Sequence, residues 1–135
     1  MTKQVSQVSH VPVQFEASGK PGPLDDVVAH VVLMVAREAV YNAVRHAQPR
    51  AVRVTVHFES SRMRLQVVDD GRGFDPQEAF ALEGGHFGLV GMRERIQGVG
   101  GRFEVRTSPG EGTTLSVEVP VRPLGAGKHA MSLKA

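Results

Sequence analysis

The sequence predicts an α+β protein, a two-layer sandwich in which a mixed, mostly antiparallel sheet is covered on one face by helices. Two observations carry this. Two pairs of alternating apolar segments, each joined by a short polar turn, read as β-hairpins, and hairpins make antiparallel neighbours. The two helical segments are separated by hairpins rather than by single strands, and one of them is apolar nearly all round, which suits a helix laid on a sheet.

The elements follow in order. Met1 to His10 has no hydrophobic period and reads as a loose tail, residues 1–10. Val11, Val13 and Phe15 alternate with polar or small residues, a short strand. Glu16 to Pro23, with two Gly and two Pro, reads as a loop. A long helix is expected from about Leu24 to Ala47. Asp25 and Asp26 lie in its first turn and Arg45 and His46 in its last, as the helix dipole favours, and Pro49 stops it. Val52-Val54-Val56-Phe58 and Met63-Leu65-Val67, joined by Glu59 to Arg62, form the first hairpin. A Gly-rich loop from Asp69 to Gly88 has room for a short helix near Pro76 to Leu82. The second helix spans about Leu89 to Gly98, with Gly100 and Gly101 beyond its end. Phe103 to Arg106 and Thr114 to Val119 make the second hairpin around Ser108-Pro109-Gly110. The domain is expected over residues 11–121, with a C-terminal tail at 122–135.

Composition narrows the function. The 135 residues fit one domain. There is no cysteine, which excludes disulfides and thiolate metal sites. A net charge of +2 with no run of like charge gives no basis for nucleic-acid binding. No stretch approaches the roughly 20 apolar residues of a membrane span, the longest run, Val27 to Ala36, being broken by His30, and the first ten residues lack a signal-peptide core, so no direct membrane contact is expected.

On the long apolar helix, Glu38, Asn42 and Arg45 share a stripe roughly 60° wide at about 100° per residue, with His46 beside it. Such a strip either faces solvent or lines a pocket. In a pocket, Asn42 could offer a carbonyl oxygen to a hard cation such as Mg²⁺. Glu38 could take a proton, and Arg45 or His46 could meet phosphate. Asp69-Asp70-Gly71-Arg72-Gly73-Phe74 leaves a strand for a loop, where a carboxylate can accept from an exocyclic amine and glycines let a flat ligand approach. Gly84-Gly85-His86-Phe87-Gly88-Leu89-Val90-Gly91-Met92-Arg93 runs into a helix N-terminus, a natural anion site. Gly110-Glu111-Gly112-Thr113-Thr114 opens the last strand. Neither a P-loop nor a dinucleotide-binding glycine motif is present.

Together these segments resemble the GHKL ATPases: gyrase, heat-shock chaperone, histidine kinase and MutL. Arg37 to Ala47 is similar to their N box and Asp69 to Phe74 to their D-x-G-x-G box. Gly85 to Arg95 resembles the lid-closing glycine box in the wording of nitrate-sensor-type histidine kinases, and Gly110 to Thr113 the final glycine element. The resemblance covers about Val11 to Val121. It implies the Bergerat fold of histidine-kinase ATPase domains, with ATP and Mg²⁺ held between helices and sheet under a lid from about Phe74 to Gly88. It places Asn42 on the metal and Glu38 as the acid/base residue. Asp69 would sit on the adenine amino group, with Gly71 and Gly73 shaping the base pocket. Gly85, Gly88 and Leu89 would lie at the phosphates, Thr113 near adenine, and Arg45 and His46 near phosphate.

None of the six histidines (His10, His30, His46, His57, His86, His129) stands in the acceptor context of such kinases, an H-[DE] followed by apolar heptads. The resemblance therefore implies a cytoplasmic catalytic domain acting on a histidine-containing dimerisation domain elsewhere in the parent protein, which can be anchored in the inner membrane. A response regulator would be an indirect partner. The alternatives are a stand-alone anti-sigma-type serine kinase and a non-catalytic nucleotide-binding module.

Overall fold

A computed structural model describes residues 2–8, 10–75, 77 and 88–121. The elements are β1 (Thr2–Val8), β2 (Val11–Gly19), α1 (Asp26–Asn42), a π-helical turn (Ala43–Ala47), β3 (Val52–Phe58), β4 (Arg62–Asp69), α2 (Leu89–Gly98), β5 (Arg102–Thr107) and β6 (Thr113–Pro120). Among the described residues the six strands form one sheet in the order β1-β2-β3-β4-β6-β5. Only β2 and β3 run parallel. Parallel neighbours need a crossover, and α1 provides it. The rest of the sheet is antiparallel, so the mixed, mostly antiparallel expectation holds. The short helix expected near Pro76 to Leu82, most of the lid and the tail at 122–135 fall outside the described residues.

Strand alternation sorts the side chains into two faces. Val13 lies opposite Val52, Val54 opposite Val67, Leu65 opposite Val117 and Met63 opposite Val119. These residues are buried. Helix α1 lays Val28, Val32, Val35 and Ala39 over them, at spacings of four, three and four that keep one stripe inward. Helix α2 adds Leu89, Met92 and Ile96. On the opposite face, Arg64 lies opposite Glu118 in the ladder and pairs with it at 3.2 Å. Arg102 lies opposite Glu118 from the other side. One face is therefore core and the other is a polar lattice.

The helix and π turn together, Asp26–His46, are long and apolar enough to cross a membrane by composition, with a mean hydropathy of 1.5. This corrects the expectation that no stretch reaches that length. His30, Arg37 and Glu38 break the run without lowering its average enough. Of that window 28% is buried, the stripe on the sheet, while Val27, Leu33 and Tyr41 are exposed.

Two expectations at the N-terminal end are also corrected. Residues 1–10 are not a tail, because Thr2–Val8 is edge strand β1, paired antiparallel with β2 from Thr2↔Ala17 to Val8↔Val11. Main-chain pairing needs no apolar alternation, and the connection carries His10 at φ +69. Likewise Glu16 to Gly19 is strand rather than loop. The parallel ladder with β3 continues to Gly19↔Phe58 and carries β2 through it.

The loop after β4 is packed on the β5–β6 turn. Gly73 has φ +66, and a Cβ there would stand 2.1 Å from the Ser108 carbonyl oxygen. The turn closes back through Gly110, whose N–H donates to the Arg72 carbonyl. Gly98, at the end of α2, has nothing within 4 Å of an added Cβ. Gly73→Ala should therefore destabilise the domain by at least about 2 kcal/mol, from the left-handed backbone and the backbone clash. Gly98→Ala should stabilise it by about 0.5–1 kcal/mol. Urea denaturation of both variants checks this, and equal midpoints would contradict the packing described.

Candidate functional site

A cleft of about 820 Å³, mouth included, opens between α1 with its π turn, the ends of β4 and β6, and the start of α2. Its apolar wall is Ala39, Ala43, Val67, Leu89 and Leu115, with Phe74 at the side. The polar groups are Asn42, His46, Asp69, Arg72, Asp75 and Thr113.

Asp69 is set by strand register. Met63, Leu65 and Val67 face inward on β4, and Asp69 is the next inward position. Its partners across the sheet are Val52 and Thr113. Only 8% of its surface is exposed. The Gly71 N–H donates to its Oδ1 at 2.8 Å. Burial pushes the Asp69 carboxyl above the ordinary carboxylate range, opposed by the Gly71 and Thr113 N–H groups and aided by the neighbouring Asp70 charge.

Asp70 points the other way. Its Oδ1 accepts from the Arg50 N–H at 2.8 Å and the Ala51 N–H at 3.3 Å, tying the start of β3 to the loop. Although slight burial opposes it, these N–H groups hold its carboxyl below the ordinary value. Of two adjacent aspartates, one is thus a cleft group and the other a clamp.

Asn42 and His46 line the cleft, and so do Gly73, Leu89 and Thr113. Arg45 does not. It donates to the Tyr41 hydroxyl and lies 5.4 Å from that ring's centroid, on the exposed side. The π turn accounts for its position. A wider turn advances fewer degrees per residue, so Arg45 falls off the stripe set by Glu38 and Asn42 while His46 stays in line. Arg72, not singled out from the sequence, lines the cleft and donates from Nε to the His46 carbonyl at 2.8 Å.

Glu38 sits beside the cleft rather than in its wall. Its Oε1 accepts from Arg95 Nη2 at 2.7 Å. Its Oε2 lies on the side of Gly88, where an added Cβ would stand 3.3 Å away. Gly88 caps α2 with φ +67, a backbone that favours glycine and that turns the chain into the helix at the cleft's edge. Gly85 falls outside the described residues. Gly71 contributes its N–H to Asp69. Thr107 was missed by the sequence reading. Its hydroxyl donates to the Gly112 carbonyl at 3.1 Å and accepts from the Phe74 N–H at 3.1 Å, joining the two loops that flank Asp69. No short sequence pattern signals it.

An apolar slot ending in one buried carboxylate suits a flat heteroaromatic ligand that carries an amino group. The helix N-terminus at the slot's edge suits an anion. Residues 28–123 match the family described as histidine kinase-, DNA gyrase B- and HSP90-like ATPase. The signal transduction histidine-protein kinase/phosphatase DegS of Brevibacillus brevis is 32% identical over 109 residues, 81% of this chain and 28% of that protein. The sensor histidine kinase LiaS of Bacillus subtilis is 30% identical over 118 residues, 87% of this chain and 32% of that protein. The chain thus spans less than a third of either relative's length. In fold it is similar to the histidine kinase domain of a blue-light-activated histidine kinase from Erythrobacter litoralis. There the TM-score is 0.59 and the identity 20%, over 81% of this chain and 52% of that one.

The raised Asp69 carboxyl yields a stability prediction. A group whose folded pKa is raised costs stability when ionised and ceases to do so once pH falls below its unfolded value, about 3.9 for Asp. Asp69→Asn should raise the melting temperature of the ligand-free chain by a few degrees at pH 7, with the gain shrinking towards pH 4. A lower melting temperature at pH 7 would mean that the two N–H bonds outweigh burial.

Proposed function

The chain belongs to the histidine kinase-, DNA gyrase B- and HSP90-like ATPase family, and from that premise we propose that it is the ATP-binding catalytic domain of a two-component sensor histidine kinase. It transfers the γ-phosphoryl group of ATP to a histidine on a separate dimerisation domain. The observation that carries this is the buried Asp69 carboxylate at the end of an apolar slot, with Asn42 and Glu38 on the helix beside it. The names of the two relatives, both histidine kinases, support the acceptor class.

In this reading Asp69 accepts from the adenine amino group, and Thr113 stands beside it. Ala39, Ala43, Val67 and Leu115 exclude water from the base. Gly88 and Leu89, with Gly85 in the same run, bracket the phosphates at the start of α2. His46, which lines the cleft, is the phosphate candidate in place of Arg45. Among the described residues no group of three His, Cys, Asp or Glu could hold a metal ion. One amide ligand fits Mg²⁺, which draws its remaining ligands from phosphates and water. Asn42 would be that ligand, and bound Mg²⁺ would neutralise charge on the phosphates.

The lone pair of the acceptor imidazole nitrogen forms the N–P bond. The bond from the γ-phosphorus to the bridging oxygen breaks, and its electron pair leaves on ADP. The proton on the other ring nitrogen passes to Glu38. Positioning and charge neutralisation supply most of the catalysis. The partners are the histidine-bearing domain directly and a response regulator through it, in the cytoplasm.

Titration calorimetry should show ATP binding to the wild-type chain. Asp69→Ala should weaken it by about ten- to over a hundred-fold, the value of a charge-assisted hydrogen bond of about 1.5–3 kcal/mol. Unchanged affinity would remove Asp69 from the base site. Asn42→Ala should lower Mg²⁺-dependent transfer more than metal-free nucleotide binding, and a wild-type transfer rate would remove Asn42 from the metal.

With radiolabelled ATP, the chain alone should incorporate little acid-labile phosphate. Transfer should appear when the histidine-bearing domain is added, because alignment of the reactants can be worth roughly 7–11 kcal/mol. Robust labelling of one of its own histidines would overturn the assignment of the acceptor.

A further inference from the structure

We propose that Arg95 is a positioning residue for Glu38, holding its carboxylate in the orientation from which it serves phosphoryl transfer. The inference rests on the kinase reading above. It comes from a contact between two segments 57 residues apart, the N-box helix and the glycine-box helix. Arg95 Nη2 lies 2.7 Å from Glu38 Oε1. Arg95 is itself held, since its Nε donates to the Gly91 carbonyl at 3.2 Å, one turn back in α2. The guanidinium is therefore fixed at one end to its own helix and at the other to the carboxylate on α1.

This arrangement divides the two carboxylate oxygens. Oε1 is taken by Arg95, and Oε2 is left on the side of Gly88, where α2 begins. That is the end of the helix at which phosphate is favoured. Without Arg95, the three side-chain torsions of Glu38 would spread over several rotamers.

Stability is a poor explanation for the pair. Both side chains are more than a third exposed, at 39% for Arg95 and 36% for Glu38. Ion pairs of that exposure contribute little. A planar fork fixes orientation in a way that a lysine ammonium does not.

The test uses Arg95→Gln, Arg95→Lys, Glu38→Gln and the Arg95→Gln/Glu38→Gln double variant, each with the histidine-bearing domain supplied in trans. Nucleotide affinity is read by calorimetry and transfer rate at saturating Mg²⁺-ATP. Arg95→Gln should keep its affinity within about threefold, which also reports a folded chain, and lose about tenfold or more in transfer rate, the scale of misplacing a catalytic group. Arg95→Lys should fall between Arg95→Gln and wild type. The double variant should be no slower than Glu38→Gln alone, because Arg95 acts only through Glu38. A wild-type rate for Arg95→Gln would overturn the proposal, as would single losses that multiply in the double variant. The kinase reading fails separately, and visibly, if the wild-type chain binds ATP and transfers to no histidine-bearing domain.

Discussion

The site depends on one constraint, a carboxylate occupying an inward position at the end of an apolar strand. On β4 the inward series Met63, Leu65, Val67 builds core, and Asp69 continues it into the cleft. An ionised group so placed is costly unless it is hydrogen-bonded. The surrounding loops are shaped to meet that need. Gly71 turns its N–H onto Oδ1. The Thr107 hydroxyl fastens the Phe74 N–H to the Gly112 carbonyl. Gly73 and Gly112 let the two loops approach within distances that no side chain would permit. The strand supplies the direction of the charge, and the loops make it tolerable.

The same demand explains why the two adjacent aspartates are not interchangeable. Asp70, one residue on, falls outside the alternation and binds the Arg50 and Ala51 N–H groups, which fixes where β3 begins beneath the end of the helix. Burial raises the carboxyl of the first and hydrogen bonding lowers that of the second. Their different hydrogen-bond partners set them apart, which the dipeptide itself does not show.

Much of this was legible in the sequence. Hairpin turns, an apolar helix with a polar stripe, and the glycine runs at Asp69 to Phe74 and Gly110 to Thr114 are local signals, and Asn42, Asp69, Gly73, Leu89 and Thr113 line one cleft. What was hidden is what depends on distant partners. Strand β1 has no hydrophobic period and exists because β2 offers an edge. The continuation of β2 through Glu16 to Gly19 is dictated by its ladder with β3, against a composition that reads as loop. Arg95 meets Glu38 across 57 residues, and nothing near either residue announces it. Arg45 lies outside the cleft wall because the helix widens at its end, which the eight residues from Glu38 to Arg45 do not signal.

That widening has a consequence for how the segment can vary in length. The π turn at Ala43–Ala47 holds one residue more than a regular helical turn would. Removing one residue ahead of His46 would return the segment to ordinary helix and set His46 seven places after Glu38, still on the stripe that Glu38 and Asn42 define. The extra residue therefore turns Arg45 outward onto Tyr41 while His46 keeps the cleft side. Between Asn42 and Pro49 the chain can thus carry one residue more than a regular helix needs and still present His46 to the cleft, so here the identity of the side chain matters more than the length of the segment.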